Sequence, residues 1–199
     1  MYVAFEGGEG SGKSTQARLL AERWGAVLTF EPGATPLGAD LRRLLLDPAG
    51  SPMGARAEAL LMAADRAQHL EAVVRPALAA GRPVVSDRSA YSSLAYQGGA
   101  RGLGVEAVRC LNDWVLEGSW PDVVVLLDLP PEVAAARLGA GRDRMEQEAG
   151  AFHRAVSDTF RELAAAEPDR FVVLDATRSV DDLGARVWAE VTRRTERCR

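Results

Sequence analysis

Lysine is nearly missing from this chain of 199 residues: Lys13 stands alone, and the other 23 of the 24 basic side chains are arginine. A guanine-reading Asn-Lys-x-Asp motif, the mark of GTP-operated switches, is therefore excluded, because no second lysine exists to build it. Positive charge is not in excess either. The formal net charge of −4 argues against a general nucleic-acid binder, whose domains are usually basic. No apolar stretch approaches the length of about 18 residues that a membrane-spanning helix needs. The first strand pattern begins at Tyr2 and leaves no room for a signal peptide. Cys110 and Cys198 lie far apart without C-x-x-C spacing and read as inert, reduced thiols of a cytoplasmic protein. His69 and His153 lack metal-ligand spacing and lie in helical patterns, where surface or packing roles suit them. Internal repeats, low-complexity tracts and linkers are absent, so residues 1–199 suit a single domain with a substantial core.

What is present gathers around the one ammonium. Gly7-Gly8-Glu9-Gly10-Ser11-Gly12-Lys13-Ser14 fits G-x-x-x-x-G-K-[ST], a loop whose backbone N–H groups cradle phosphates while the lysine reaches the outer ones. A chain that otherwise uses arginine has kept a compact point charge where a planar guanidinium fits differently. Before the loop, Tyr2-Val3-Ala4-Phe5 reads as a buried strand. After it, the stretch opening Ser14-Thr15 places Ala17, Leu20, Ala21 and Trp24 at helical spacing. Strand, glycine loop and helix together offer free N–H groups and a positive dipole end to an anion. The pattern implies a nucleoside triphosphate site.

Further apolar runs at 27–30, 83–86, 123–129 and 171–174 alternate with helical patterns near 38–46, 55–80, 104–117, 131–139, 148–166 and 179–194. None of these runs alternates polar with apolar, which predicts parallel strands buried on both faces. The segment 55–80 places Leu60, Ala64, Ala67, Leu70 and Val74 on one face. Gly98-Gly99-Ala100-Arg101-Gly102-Leu103-Gly104 reads as a loop, and the arginines at 193, 194, 197 and 199 as a solvated tail. Strand–helix alternation predicts a three-layer α/β fold with ligands at the carboxyl ends of the strands.

Two places outside the glycine loop carry chemistry. Asp87-Arg88 directly follows the third strand. A carboxylate there suits Mg²⁺, which keeps most of its waters when one or two carboxylates contact it, and Arg88 offers a two-pronged grip on phosphate. The second place is the arginine-rich stretch from Arg137 through Arg142 and Arg144, joined by Gly139 and Gly141. A mobile lid near 139–148 would let arginines close over a transferring phosphoryl group.

In sequence order, these residues resemble the bacterial thymidylate kinases, a family of P-loop nucleoside monophosphate kinases. Phe5 to Gln16 is similar to the family's phosphate loop. Glu31-Pro32-Gly33-Ala34-Thr35-Pro36-Leu37-Gly38, Leu60 to Arg66 and Ser86 to Gly98 resemble its next three motifs, and Asn112, Pro121-Asp122 and the lid Arg142 to Glu148 continue the match. The resemblance covers nearly the whole chain. It implies a P-loop NTPase fold with a five-stranded parallel sheet flanked by helices, and ATP-dependent, Mg²⁺-assisted phosphorylation of dTMP to dTDP in dTTP biosynthesis. It also implies a homodimer packed through helices.

Residue by residue, Glu9 matches an acid that contacts the deoxyribose 3′-hydroxyl. Arg66 and Gln97, with Ser93, match positions reading the thymine edge, and Tyr96 matches the ring filling the space of a ribose 2′-hydroxyl. Arg88 and Arg42 match positions holding the acceptor phosphate, and Glu31 is carried over with its segment as substrate-binding. Arg142 and Arg144 match lid arginines, in keeping with Gly10 where some relatives carry the catalytic arginine instead. Lys13 is then expected at the transferring phosphate, with Ser14 and Asp87 at the metal. The chain departs from the family pattern at Met62, where a phenylalanine usually stacks on thymine, and at Phe30, Ala34 and Ser89. A thioether can still make a favourable contact with a ring. The rival readings are a kinase for dUMP, another nucleotide or a nucleoside, a conformational switch or motor, and an inactive binding protein, the last opposed by the joint presence of phosphate loop, acid and lid arginines. Tyr96 with the Arg66/Gln97 pair favours a deoxy pyrimidine, and the missing second lysine opposes a GTP switch.

Overall fold

A computed structural model of the chain describes residues 1–137 and 143–197. The expected hinge glycines 139 and 141, the lid Arg142, and Cys198 and Arg199 lie outside these residues. The strands are β1 (Tyr2–Glu6), β2 (Val27–Phe30), β3 (Val84–Asp87), β4 (Val123–Asp128) and β5 (Phe171–Asp175), joined in one all-parallel sheet of order β2-β3-β1-β4-β5. Parallel neighbours need crossover connections, and helices supply them: α1 (Lys13–Trp24), α2 (Pro36–Leu46), α3 (Ala55–His69), α4 (Arg75–Ala79), α5 (Ala90–Ser93), α6 (Val105–Leu116), α7 (Pro131–Arg137), α8 (Gly150–Ala166) and α9 (Val180–Arg197).

The two faces of β4 explain its unbroken apolar run. Val123, Val125 and Leu127 pack with Ala17, Leu20, Val187 and Val191 of α1 and α9. Val124 and Leu126 point the other way, to Leu94, Val156 and Phe160. With both faces covered, Val123 to Leu127 of this central strand are all apolar, and polar residues enter only at its carboxyl end. The expectation of two-sided burial fails at the edges. Leu28 is 48% exposed and Val173 52% exposed, because β2 and β5 each have one neighbour and less helix above them.

Three helical expectations need correction. On α3 the buried residues are Glu58, Ala59, Ala63, Asp65, Arg66 and His69, whereas Leu60, Ala64 and Ala67 are exposed. Polar residues satisfied by partners on other elements displaced these three from the inward face, whereas Leu70 and Val74, just beyond α3, are buried as expected. Gly98 and Gly99 are not loop residues: α5 runs on through a π-helical segment, Leu94–Ala100. A Cβ on Gly99 would lie 2.1 Å from Thr159 Oγ1 of α8, so this glycine serves close helix packing rather than a turn. A second π-helical segment, Leu70–Val74, joins α3 to α4 without a break. Of the C-terminal arginines, Arg194 is no solvated tail: it donates to the Phe171 carbonyl at 2.7 Å and to those of Pro168 and Asp169.

Candidate active site

The carboxyl ends of β1, β2 and β3 open into a cavity of about 630 Å³. Its floor is the glycine loop. Gly7, Gly10 and Gly12 all have left-handed φ, and a Cβ on Gly7 would lie 2.5 Å from the Leu127 carbonyl oxygen, so no other residue fits there. The first helix starts directly at Lys13 without a side-chain cap, which leaves its leading N–H groups for a ligand. Glu9, Gly10, Gly12, Lys13, Ser14 and Thr15 face the cavity, while Gly7 and Ser11 are buried behind them. Lys13 Nζ donates to the Gly8 carbonyl at 2.8 Å and to Ser11 Oγ at 3.4 Å. Burial, and then the Arg88 charge, lower its pKa from the ordinary value.

The pairing of Phe5 with Asp87 across β1 and β3 sets Asp87 beside the loop. Ser14 Oγ donates to Asp87 Oδ2 at 2.5 Å, and Asp87 Oδ1 is buried without a hydrogen-bond partner among the described residues. No group of three or more His, Cys, Asp or Glu is placed to hold a metal among the described residues. One orphaned carboxylate oxygen and one hydroxyl nonetheless fit Mg²⁺, which does not require a cage of protein ligands.

Arg88 has φ 73°, strained for a residue with a side chain, and this backbone turn sends its guanidinium back across the cavity. There it pairs with Glu9, donates to Ser92 Oγ at 3.2 Å and lies 5.2 Å from the Tyr96 ring centre. The Tyr96 hydroxyl donates to Glu9 Oε1 at 3.0 Å. Burial raises the Glu9 pKa, but the Arg88 and Lys13 charges outweigh it and bring the carboxyl down to about 2. The loop behind Arg88 is held by Glu6, a fully buried carboxylate. It accepts Ser89 N and Oγ, both at 2.8 Å, Ser92 N at 3.1 Å and Ser92 Oγ at 2.6 Å.

The opposite wall is built on Arg66. Its Nε donates to Glu31 Oε2 at 2.8 Å; its Nη atoms donate to Asn112 Oδ1 at 2.6 Å, Ser93 Oγ at 3.1 Å and the Ser89 carbonyl at 3.1 Å. A guanidinium has five N–H donors, so one remains for a ligand. Glu31 also pairs with His69 Nδ1 at 2.9 Å, and His69 Nε2 meets Thr29 Oγ1 at 2.6 Å. Glu31 therefore positions Arg66. His69 is a fully buried member of the site's supporting network rather than a surface residue. Met62 and Gln97 line the same wall. Arg42 is exposed, donates to the Pro32 carbonyl at 2.7 Å and lies 5.9 Å from the Phe30 ring centre.

Arg144 is not brought to the phosphate loop. It donates to the Leu45 carbonyl and Glu58 Oε2, each at 2.7 Å. From the same arginine-rich stretch, Arg137 does reach the loop, donating to the Gly10 carbonyl at 3.3 Å and the Ala176 carbonyl at 3.1 Å. Glu6, Glu58 and Asp65 were not singled out from sequence, and His69 was given no more than a surface or packing role, whereas Arg137 belongs to the arginine-rich stretch that was. For Glu6, a charge ending a buried strand one residue before the loop was the available signal.

The family model described as thymidylate kinase matches residues 5–187. The thymidylate kinase of Synechococcus sp. (strain JA-2-3B'a(2-13)) is 50% identical, covering 96% of this chain and 94% of its own length. That of Deinococcus radiodurans is 48% identical over 98% of this chain and 97% of its own. The crystal structure of thymidylate kinase from Ehrlichia chaffeensis superposes with a TM-score of 0.78 at 29% identity, covering 96% of this chain and 98% of that one.

Proposed function

This chain belongs to the thymidylate kinase family, and we propose that Lys13, Arg88 and the groups around them carry that family's reaction here. The enzyme is a phosphotransferase that uses ATP to convert dTMP to dTDP, a step toward dTTP. The observation that carries the site assignment is a shared cavity: Lys13 and the Arg88–Glu9–Tyr96 cluster open into one volume, joined through the loop that contains Glu9.

Phosphoryl transfer asks the protein for alignment and charge neutralisation far more than for covalent chemistry. The acceptor is a phosphate oxygen, an anion near neutral pH, so no strong base is needed. The α1 N-terminus and Lys13 hold the donor's outer phosphates, and Arg88, with Arg42 at the rim, grips the acceptor phosphate. Glu9, ionised at any working pH, takes the 3′-hydroxyl, and Tyr96 fills the space beside it. Arg66 offers its last N–H, Ser93 its hydroxyl and Gln97 its amide to the pyrimidine edge, with Met62 against the ring. Ser14 and Asp87 would hold Mg²⁺, which when bound supplies charge neutralisation at the phosphates.

Arg142 and Arg144 complete the proposal as lid arginines acting on the developing charge. Arg144 must leave Glu58 to do so, and Arg142 lies outside the described residues. We read residues 1–199 as one kinase domain with a lid at 139–148, of which 143–148 are described. The active form is read as a cytoplasmic homodimer; among the described residues no helix is long and apolar enough to cross a membrane.

A panel of nucleoside monophosphates assayed for ADP release, with wild type and Lys13→Met, tests the reading. The expected result is dTMP-dependent ADP release that falls by about 10²–10³-fold in the variant. Equal release without an acceptor, or an unaffected variant, would overturn it.

A further inference from the structure

Glu58 stands in the first turn of α3, fully buried, behind the cavity wall rather than in it. Its Oε1 accepts Gln97 Nε2 at 2.8 Å and Arg101 Nε at 3.2 Å. Its Oε2 accepts Arg101 Nη2 at 3.1 Å and Arg144 Nη2 at 2.7 Å. Burial works against the charge, but the hydrogen bonds from Arg101, Gln97 and Arg144 prevail and hold the carboxyl below its ordinary value. The group is thus an anion with acceptors only. A primary amide against an acceptor-only neighbour has one orientation, with its NH₂ toward the carboxylate and its carbonyl oxygen away. Gln97 lines the cavity, so the atom it turns to a ligand is Oε1.

We infer that Glu58 is a specificity-determining positioning residue: by fixing the Gln97 amide, it makes the cavity take pyrimidines whose N3 carries hydrogen and refuse those whose N3 is a bare acceptor. This rests on the reading above that Gln97 faces the base. Thymine and uracil present N3–H to the Gln97 carbonyl. Cytosine presents a lone pair to it, which leaves two buried acceptors facing each other unpaired, the costly case for a polar contact.

The chemistry at Glu58 also says how the selection fails. In Glu58→Gln the new NH₂ must face one side of the old carboxylate. On the Oε2 side it meets two guanidinium donors; on the Oε1 side it meets one guanidinium donor and an amide that can rotate. The second arrangement costs less, and it turns the Gln97 NH₂ into the cavity, where it suits cytosine N3.

The experiment compares kcat/KM for dTMP and dCMP in wild type, Glu58→Gln and Gln97→Leu. Glu58→Gln is expected to raise the dCMP-to-dTMP ratio by about tenfold or more. Freeing Arg144 alone changes both substrates alike and leaves the ratio where it was. If Gln97→Leu leaves the KM for dTMP unchanged, the placement of Gln97 at the base has failed. If Gln97→Leu weakens dTMP but Glu58→Gln keeps the wild-type ratio, the role given to Glu58 is overturned. A measurement on wild type stands apart from any variant's folding. The Gln97 side-chain NH₂, assigned by its loss in Gln97→Leu or by sequential NMR, is expected to exchange slowly with solvent before dTMP is added. Rapid exchange that slows only on dTMP binding would put the NH₂ in the cavity and reject the inference.

Discussion

Asp65 accepts the Gly33 amide at 3.0 Å on Oδ1. Burial, and then the neighbouring Glu31 charge, push its carboxyl from the ordinary 3.8 up to about 6. The folded state therefore holds this proton more tightly than the unfolded chain does. Asp65 contributes most to stability below about pH 4, and the contribution is lost as pH rises through about 6. Asp65→Asn keeps the acceptor for Gly33 and removes the charge. Denaturant melts at a series of pH values should show the variant gaining on wild type as pH rises from about 4 to 6, levelling off above that at about 2 kcal/mol. A difference that does not change with pH would refute the assignment. At this scale, legibility follows sequence distance. Lys13, Ser14 and Glu9 were readable because their loop is contiguous. Asp87 and Arg88 were readable because they end a strand. Glu6, Glu58 and His69 were not, since each earns its role from partners on other elements, 39 residues away for Glu58 and Gln97.

Among the elements, the five strands fell where the apolar runs lay, because a sheet covered on both faces leaves little sequence freedom. The helices were found by period but not always by face. A periodicity count cannot see that Asp65, Arg66 and His69 are buried against partners on other elements: the Gly33 amide for Asp65, and Glu31 for both Arg66 and His69. Of the expected loop 98–104, residues 98–100 are helical for a related reason: glycine signals freedom in sequence, whereas here it signals a near neighbour. Gly99→Ala should destabilise the fold by about 1–3 kcal/mol, since a Cβ would overlap Thr159. Adding Thr159→Ala removes Oγ1 and Cγ2 from the clash and should return part of the loss. Urea denaturation of the two single variants and the double variant measures this coupling. Simple additivity would mean that the two positions do not press on each other.

Across the whole molecule, the face that α3 turns outward carries Leu60, 58% exposed, and the adjacent α6 carries Trp114, 79% exposed. We propose this face, on two helices that pack together, as the one over which the dimer closes. Sedimentation velocity should show a dimer for the wild type at micromolar concentration and a monomer for Leu60→Arg combined with Trp114→Glu. A wild type that sediments as a monomer would remove the assembly from the proposal. The sheet order has a mechanical consequence as well. The donor loop grows from β1, braced by a strand on either side, whereas the Glu31 wall grows from β2, which has β3 alone. One half of the cleft is thus supported from two sides and the other from one. On the proposed assignment, a monophosphate arriving from solution would meet the wall with one supporting strand, while the triphosphate would rest against the one with two.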